Sequence, residues 1–212
     1  MIIAPSILSI KKEDLRNKLN EFLTNNIKYL HIDIMDGIFV TNNTEKAELL
    51  ESINDYPFYY EAHLMVKDPL NYLESFKNAK ANMITFHYEA VDNVLETINE
   101  IKKMGLDVGI SIKPKTDVKV IEPYLSLIDL VLIMSVEPGY GGQSYLDSAD
   151  DKIKYLAEYK KNHHLNYLIE VDGGINPELA IKISKLGCDM VVMGSYLVKN
   201  DVKETVSRLE KI

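Results

Sequence analysis

Four side chains in this 212-residue chain have the types and spacing for metal chemistry. Tyr29-Leu-His31-Ile-Asp33 sets an imidazole and a carboxylate two residues apart. In a strand, a period of two turns both to one face and sends Leu30 and Ile32 to the other. An inward His and Asp are costly to bury unless they are paired or hold a cation. His63 closes a further β-branched and aromatic run, and Asp172 follows Tyr167–Val171. Two imidazoles and two carboxylates at one rim make a mixed N/O set that suits Zn²⁺, Fe²⁺, Mn²⁺ or Co²⁺. The same residues also suit buried His–Asp hydrogen bonds, and spacing alone leaves both readings open.

Glycine gives a second signal. Six of the ten glycines fall in three short segments: Pro138-Gly139-Tyr140-Gly141-Gly142-Gln143, Asp172-Gly173-Gly174 and Gly194-Ser195. Glycine lets backbone N–H groups approach an anion closely, and three converging segments point to a phosphate. Tight turns would use the same residues. Met35, Met65 and Met134 each stand at or just past the end of an expected strand, where thioethers can wall a reactive site off from water or simply pack.

These residues need a scaffold that brings segments distant in sequence to one rim. Expected strands are Ile2–Pro5, Tyr29–Asp33, Phe58–His63, Met83–His87, Asp107–Ile112, Asp129–Met134, Tyr167–Val171 and Met190–Gly194, and their starts are 22 to 38 residues apart. Each gap has room for a helix. Apolar residues recur at helical spacing in Asp14–Asn25 (Leu15, Leu19, Phe22, Leu23) and in Val91–Met104 (Val94, Leu95, Ile98, Ile101). Asn176 caps a helix over Pro177–Leu186, and Gly105 and Gly187 stop two others. Eight such units predict a (β/α)₈ barrel of the TIM type, one domain over residues 1–212, with chemistry at the C-terminal strand ends and phosphate binding in the last loops. A doubly wound open sheet is the alternative, and it lacks a G-x-G-x-x-G after the first strand.

Composition narrows the partners. The net charge of −8 argues against general nucleic-acid binding, which needs clustered Lys and Arg. No apolar run approaches the roughly 20 residues that span a bilayer, and no signal peptide is visible. The lone Cys188 excludes an intrachain disulfide, fits a reducing cytoplasm, and sits where a small apolar residue would pack.

The segments Ala4-Pro5-Ser6-Ile7-Leu8-Ser9, His31-Ile-Asp33-Ile-Met35-Asp36-Gly37-Ile-Phe39-Val40, His63-Leu-Met65-Val66, Ile84-Thr-Phe-His87-Tyr-Glu89-Ala90, Met134-Ser-Val-Glu-Pro138-Gly-Tyr-Gly-Gly142-Gln143 and Ile169-Glu-Val-Asp172-Gly-Gly174 resemble the ribulose-phosphate 3-epimerase family. They occur in the family's order and span nearly the whole chain. The resemblance implies a ribulose-phosphate-binding barrel with one divalent metal per subunit, held by His31, Asp33, His63 and Asp172. It assigns proton transfer to Asp33 and Asp172. It assigns substrate contacts to Ser6, His63, Gly139, Tyr140, Gly141, Gly142, Asp172 and Gly173, with the phosphate at Gly174, Gly194 and Ser195. The partner it implies is a small sugar phosphate, and it allows dimers and larger assemblies. Thr41-Asn42-Asn43, Lys113-Pro114 and Met193-Gly-Ser195-Tyr196 depart from the family's usual residues. They leave the sugar open between ribulose 5-phosphate and a hexulose phosphate such as allulose 6-phosphate.

The implied chemistry explains the residue types. Epimerisation at C3 of a 2-keto sugar removes a weakly acidic proton and passes through an enediolate, which a divalent ion can stabilise. Inversion then needs an acid/base group on each face. A related metal-independent decarboxylase would want a Lys within Asp33-Ile-Met-Asp36, and there is none. A Schiff-base aldolase would need Lys113, which reads better as a solvated rim residue. A non-catalytic sugar-phosphate binder would have little use for both carboxylates and both imidazoles. His87 reaches the rim without being read as a ligand, Asp36 is expected to shape the turn at Gly37, and His163-His164 reads as a solvated helix end.

Overall fold

A computed structural model describes residues 1–44, 47–210 and 212. Eight parallel strands form one sheet: β1 (Ile2–Pro5), β2 (Tyr29–Met35), β3 (Tyr59–Met65), β4 (Met83–His87), β5 (Asp107–Ile112), β6 (Leu130–Met134), β7 (Leu168–Asp172) and β8 (Met190–Met193). From β2 to β8 each strand pairs with its sequence neighbour, and β1 pairs with β8. A parallel bridge between Ser6 and His31 joins the remaining seam between β1 and β2. The sheet is therefore a nearly closed barrel, and the open-sheet alternative is excluded. A parallel sheet covered on both faces buries its strands throughout; every residue of β6, Leu-Val-Leu-Ile-Met, is buried.

The helices are α1 (Leu15–Thr24), α2 (Ala47–Glu51), α3 (Leu73–Asn78), α4 (Val94–Lys103), α5 (Ser148–Asn162), α6 (Pro177–Ser184), α7 (Ser195–Lys199) and α8 (Val202–Leu209). Their apolar faces cover the outside of the barrel. Leu19, Phe22, Leu50, Phe76, Ile98 and Ile101 pack there with Leu30, Ile32, Ile34, Ile84, Phe86 and Ile110. An expected α-helix is missing between β5 and β6, where a 3-10 segment, Val118–Tyr124, stands instead. Pro123 inside it lacks an N–H and disfavours helical geometry at Glu122.

Several strand limits also differ from expectation. β2 and β3 run two residues further, to Met35 and Met65, because the two strands stay in register to their ends. β6 and β7 start one residue later, at Leu130 and Leu168, and β7 ends on Asp172. Gly194 belongs to the cap of α7 rather than to β8. Helices α1, α4 and α6 are each shorter than their apolar periodicity suggests: the turn at Lys12–Asp14 takes the first residue of α1, Asn93 caps α4 so that it starts at Val94, and a turn over residues 185–187 ends α6.

Candidate active site

Strand register assembles the cluster. Asp33 lies opposite His63, and His31 lies opposite Glu61. His63 Nδ1 is 3.1 Å from Asp33 Oδ1. His31 Nε2 is 3.2 Å from His63 Nδ1 and 3.3 Å from the same Asp33 oxygen. Asp172 adds a carboxylate from the end of β7, and the ligand atoms of all four residues lie within 4.8 Å of one another. The β1–β2 seam brings up Ser6, whose Oγ donates to Asp33 Oδ2 at 2.6 Å. His31, His63 and Asp33 are buried, whereas Asp172 is partly exposed.

These residues fit a divalent cation. Bonds of about 2.0–2.1 Å in a tetrahedron put neighbouring donor atoms roughly 3.3 Å apart, which is the spacing of His31 Nε2, His63 Nδ1 and Asp33 Oδ1. Two nitrogens and carboxylate oxygens are the donor set of a borderline-soft metal. His31 Nδ1 lies 3.0 Å from Glu61 Oε2, so the ring N–H donates to the carboxylate and Nε2 is the nitrogen turned to the cluster for a metal. Thr85 Oγ1 in turn donates to Glu61 Oε1 at 2.6 Å.

The electrostatics show the same demand for positive charge. Burial opposes a charge on His31, but Glu61 and Asp33 outweigh it and hold the imidazole well above its ordinary range. Burial likewise opposes ionisation of Asp33, and His31 and His63 overcome it and hold the carboxyl far below the usual value. Asp172 moves the other way: burial first, then the charge of Asp33, push it up to about 7. Beneath the cluster, Glu170 is wholly buried and neither oxygen has a hydrogen-bond partner among the described residues. Burial and the nearby Glu61 push it well above the carboxylate range, so it is held neutral.

Above the cluster opens a cavity of about 330 Å³. Its wall includes Ser6, Asp33, Met35, Met65, Met134, Gly139, Tyr140, Gly141, Gly142, Asp172, Gly173, Gly174, Gly194 and Ser195. Gly174 has φ +65°, and a Cβ there would meet Tyr145 N at 2.6 Å and Gln143 O at 2.7 Å. Only glycine therefore lets the loops after β6 and β7 close on one another. Lys199 is the single Lys or Arg among the described residues lining the cavity. Across the mouth, Thr41 Oγ1 bonds the Tyr140 hydroxyl and Asn42 Nδ2 donates to Gly139 O at 3.2 Å, tying the loop after β2 to the loop after β6.

The residues singled out from sequence thus converge, with one difference of depth. His31 and His63 lie under the floor of the cavity rather than on its wall. Lys113 is partly exposed at the rim, with its Nζ 3.9 Å from the centre of the Phe39 ring and outside the cavity lining. That placement gives no support to a Schiff-base role. Asp36 does shape its turn, accepting from the N–H groups of Ile38 and Phe39 through Oδ1 and of Lys67 through Oδ2. Cys188 is buried, and burial pushes its thiol up. Sequence reasoning placed His87 at the rim but passed over Glu61, Thr85 and Glu170, although each lies two residues from another inward residue on its strand and the same alternation would have found them. Lys199, beyond the last strand, carries no such signal.

The comparisons agree with this geometry. Residues 2–198 match the model of the Ribulose-phosphate 3 epimerase family. A relative from Bacillus subtilis (strain 168), named ribulose-phosphate 3-epimerase, is 37% identical, with 98% of this chain and 97% of the relative covered. A chloroplastic ribulose-5-phosphate-3-epimerase from Arabidopsis thaliana is 36% identical over 92% of this chain and 70% of its own length. Among solved structures, a 3-keto-L-gulonate-6-phosphate decarboxylase from Vibrio cholerae superposes with a TM-score of 0.71 at 14% identity, covering 100% of this chain and 95% of that one. A mutant tryptophan synthase alpha-subunit from Pyrococcus furiosus gives 0.70 at 17% identity, covering 100% and 98%. These two show the barrel alone.

Proposed function

The chain belongs to the ribulose-phosphate 3-epimerase family, and from that premise we propose that it interconverts ribulose 5-phosphate and xylulose 5-phosphate by inverting C3. It is an isomerase, and residues 1–212 act as one barrel unit. The observation that carries the reading is the state of two carboxylates. Asp33 and Asp172 come from β2 and β7, both line one cavity, and their surroundings drive them in opposite directions. Environments that separate two carboxyl groups in this way mark an acid/base pair.

His31, Asp33, His63 and Asp172 would hold a divalent cation, and that ion would supply Lewis-acid stabilisation of the negative charge that develops when C3 loses its proton. One carboxylate takes the C3 proton, and the other returns a proton to the opposite face. Ser6 fixes Oδ2 of Asp33 and the two imidazoles face Oδ1, so this carboxylate keeps one orientation. Met35, Met65 and Met134 narrow the floor and keep water from the reacting carbon.

The phosphate belongs at Gly174, Gly194 and Ser195, with Lys199 as the nearby cation. The remaining glycines of the loops after β6 and β7 enclose the sugar. Holding the phosphate supplies binding energy remote from C3. A cytoplasmic site of action is part of the same proposal, supported by the single, unpaired Cys188. Among the described residues no helix is long and apolar enough to cross a membrane.

The test is turnover of ribulose 5-phosphate in D₂O, followed by C3 deuteration and product formation. Chelation should abolish both, and Zn²⁺, Mn²⁺, Fe²⁺ or Co²⁺ should restore them. Absence of C3 exchange, or full activity without stoichiometric metal, overturns the reading. A preference of more than about tenfold in kcat/KM for allulose 6-phosphate, worth about 1.4 kcal/mol, moves the substrate to the hexulose and keeps the mechanism.

A further inference from the structure

The two imidazoles of the cluster are supported differently. His31 meets a carboxylate directly, through Nδ1 and Glu61. His63 points Nδ1 at the cluster, so its supporting bond must come from Nε2, and that atom faces another imidazole. His63 Nε2 lies 2.9 Å from His87 Nε2, and His87 Nδ1 lies 3.3 Å from Glu89 Oε2. Both rings are wholly buried.

Hydrogen-bond direction along this chain follows from its last member. Oε1 of Glu89 accepts from the Lys113 N–H at 2.7 Å and from the Thr116 hydroxyl. Burial opposes a charge on Glu89, but the bonds from His87, Thr116 and the Lys113 N–H outweigh it and hold the group as a carboxylate, so its other oxygen can only accept. His87 therefore carries its proton on Nδ1. Phe39 covers the wholly buried ring at 4.8 Å, centre to centre, with Lys113 Nζ on its far side, and an imidazole that carries its one proton on Nδ1 accepts at Nε2. His87 Nε2 is then a lone pair, His63 Nε2 must be the donor, and His63 Nδ1 is left bare toward Asp33 and His31.

We propose that Glu89 and His87 are positioning residues that fix the tautomer of His63, acting as a two-ring relay that presents Nδ1 as a metal-ligating lone pair. The proposal rests on the metal reading above. It extends that reading to two residues that touch neither the cavity nor the metal. The ordinary arrangement is a carboxylate one bond from the ligating imidazole. Here an imidazole is interposed, and the anion sits in the turn after β4, where it also holds the start of the loop after β5.

Glu89→Gln is the sharp test because it is isosteric yet reverses the relay. Lys113 N–H and the Thr116 hydroxyl hold the amide carbonyl at the Oε1 position, so the NH₂ group turns to His87. His87 must then accept at Nδ1 and donate from Nε2, which forces the His63 proton onto Nδ1. Zn²⁺ affinity of the metal-stripped protein, read by competition with a fluorescent chelator, should fall about 10- to 100-fold in E89Q. His87→Gln offers an amide oxygen near the position of Nε2 and should stay close to wild type, whereas His87→Met, which has no acceptor there, should fall like E89Q.

The ¹⁵N spectrum of the metal-free wild type should show His63 protonated at Nε2, and that of E89Q should show it protonated at Nδ1. A merely structural role would not move that signature. Should H87M fail to fold, the wild-type and E89Q spectra still decide. Equal Zn²⁺ affinity in wild type and E89Q, or a wild-type His63 protonated at Nδ1, overturns the relay. A wild type that takes up no Zn²⁺ overturns the metal reading instead.

Discussion

His31 Nδ1 lies 3.0 Å from Glu61 Oε2, and the two residues are direct partners in the β2–β3 ladder. The anion that orients the first imidazole is thus placed by strand register, one step deeper in the barrel than Asp33 and His63. Burial opposes a charge on Glu61, but His31 and the hydrogen bonds from His31 and Thr85 outweigh it and keep the carboxyl below its usual range. Glu61→Gln removes that charge without changing the side chain's volume. Zn²⁺ affinity, by chelator competition, should fall about 10- to 100-fold, with the fold intact by circular dichroism. Affinity unchanged from wild type would mean that His31 needs no anion behind it.

Asp33 and Asp172 should each be indispensable in a different way. Asp33→Asn and Asp172→Asn are expected to fold and to lose about 10²- to 10⁴-fold in kcat from the acid/base role alone, and more where metal is lost. Metal content measured on each variant separates the two effects. Near-normal kcat in either variant with metal bound would remove that residue from proton transfer.

Much of this was legible in the chain itself. The His31-x-Asp33 spacing survives as a cluster because a parallel strand keeps its period, and the even spacing of β-branched runs is what a barrel requires. The glycine segments were legible because close loop contact, as at Gly174, leaves no room for a Cβ. What escaped is what depends on a partner strand. Glu61 matters because His31 is opposite it, and His87 matters because His63 reaches it. The 3-10 segment at Val118–Tyr124 escaped because helical spacing does not show where a proline will tighten a turn. The Thr41–Tyr140 tie links residues 99 apart in sequence, which no local pattern encodes.

Gly109 offers a test of packing inside the barrel. A Cβ on it would lie 2.2 Å from Thr85 Oγ1 and 2.9 Å from Thr85 Cβ. Thr85 cannot yield without giving up its bond to Glu61. Gly109→Ala should therefore destabilise the protein by about 1–3 kcal/mol through overpacking and weaken Zn²⁺ binding at the same time. Gly109→Ala with Thr85→Ala, which removes the hydroxyl that the new Cβ meets most closely, should recover part of the stability in urea unfolding. A fully stable Gly109→Ala protein would show that the strand can move aside.

The last prediction concerns acid stability and Glu89. Burial works against its charge, but the bonds from His87, Thr116 and the Lys113 N–H prevail and lower its carboxyl from 4.5 to about 2. A group whose value is depressed on folding adds stability that is fully present above its unfolded value and lost as pH falls toward the folded one. The window is therefore about pH 4.5 down to 2. Glu89→Gln cannot titrate and has no such term. In urea unfolding of metal-free protein, the wild type's advantage over Glu89→Gln should be constant between pH 7 and about pH 5.5 and then shrink by about 1 kcal/mol by pH 3, a figure reduced for the part of the side chain that faces solvent. Measuring the difference between the two proteins cancels every other carboxylate that titrates alike in both. An advantage that stays flat to pH 3 would mean that Glu89 is not held by these bonds in solution, and the wild-type unfolding curves at pH 3 and pH 7 are the direct check.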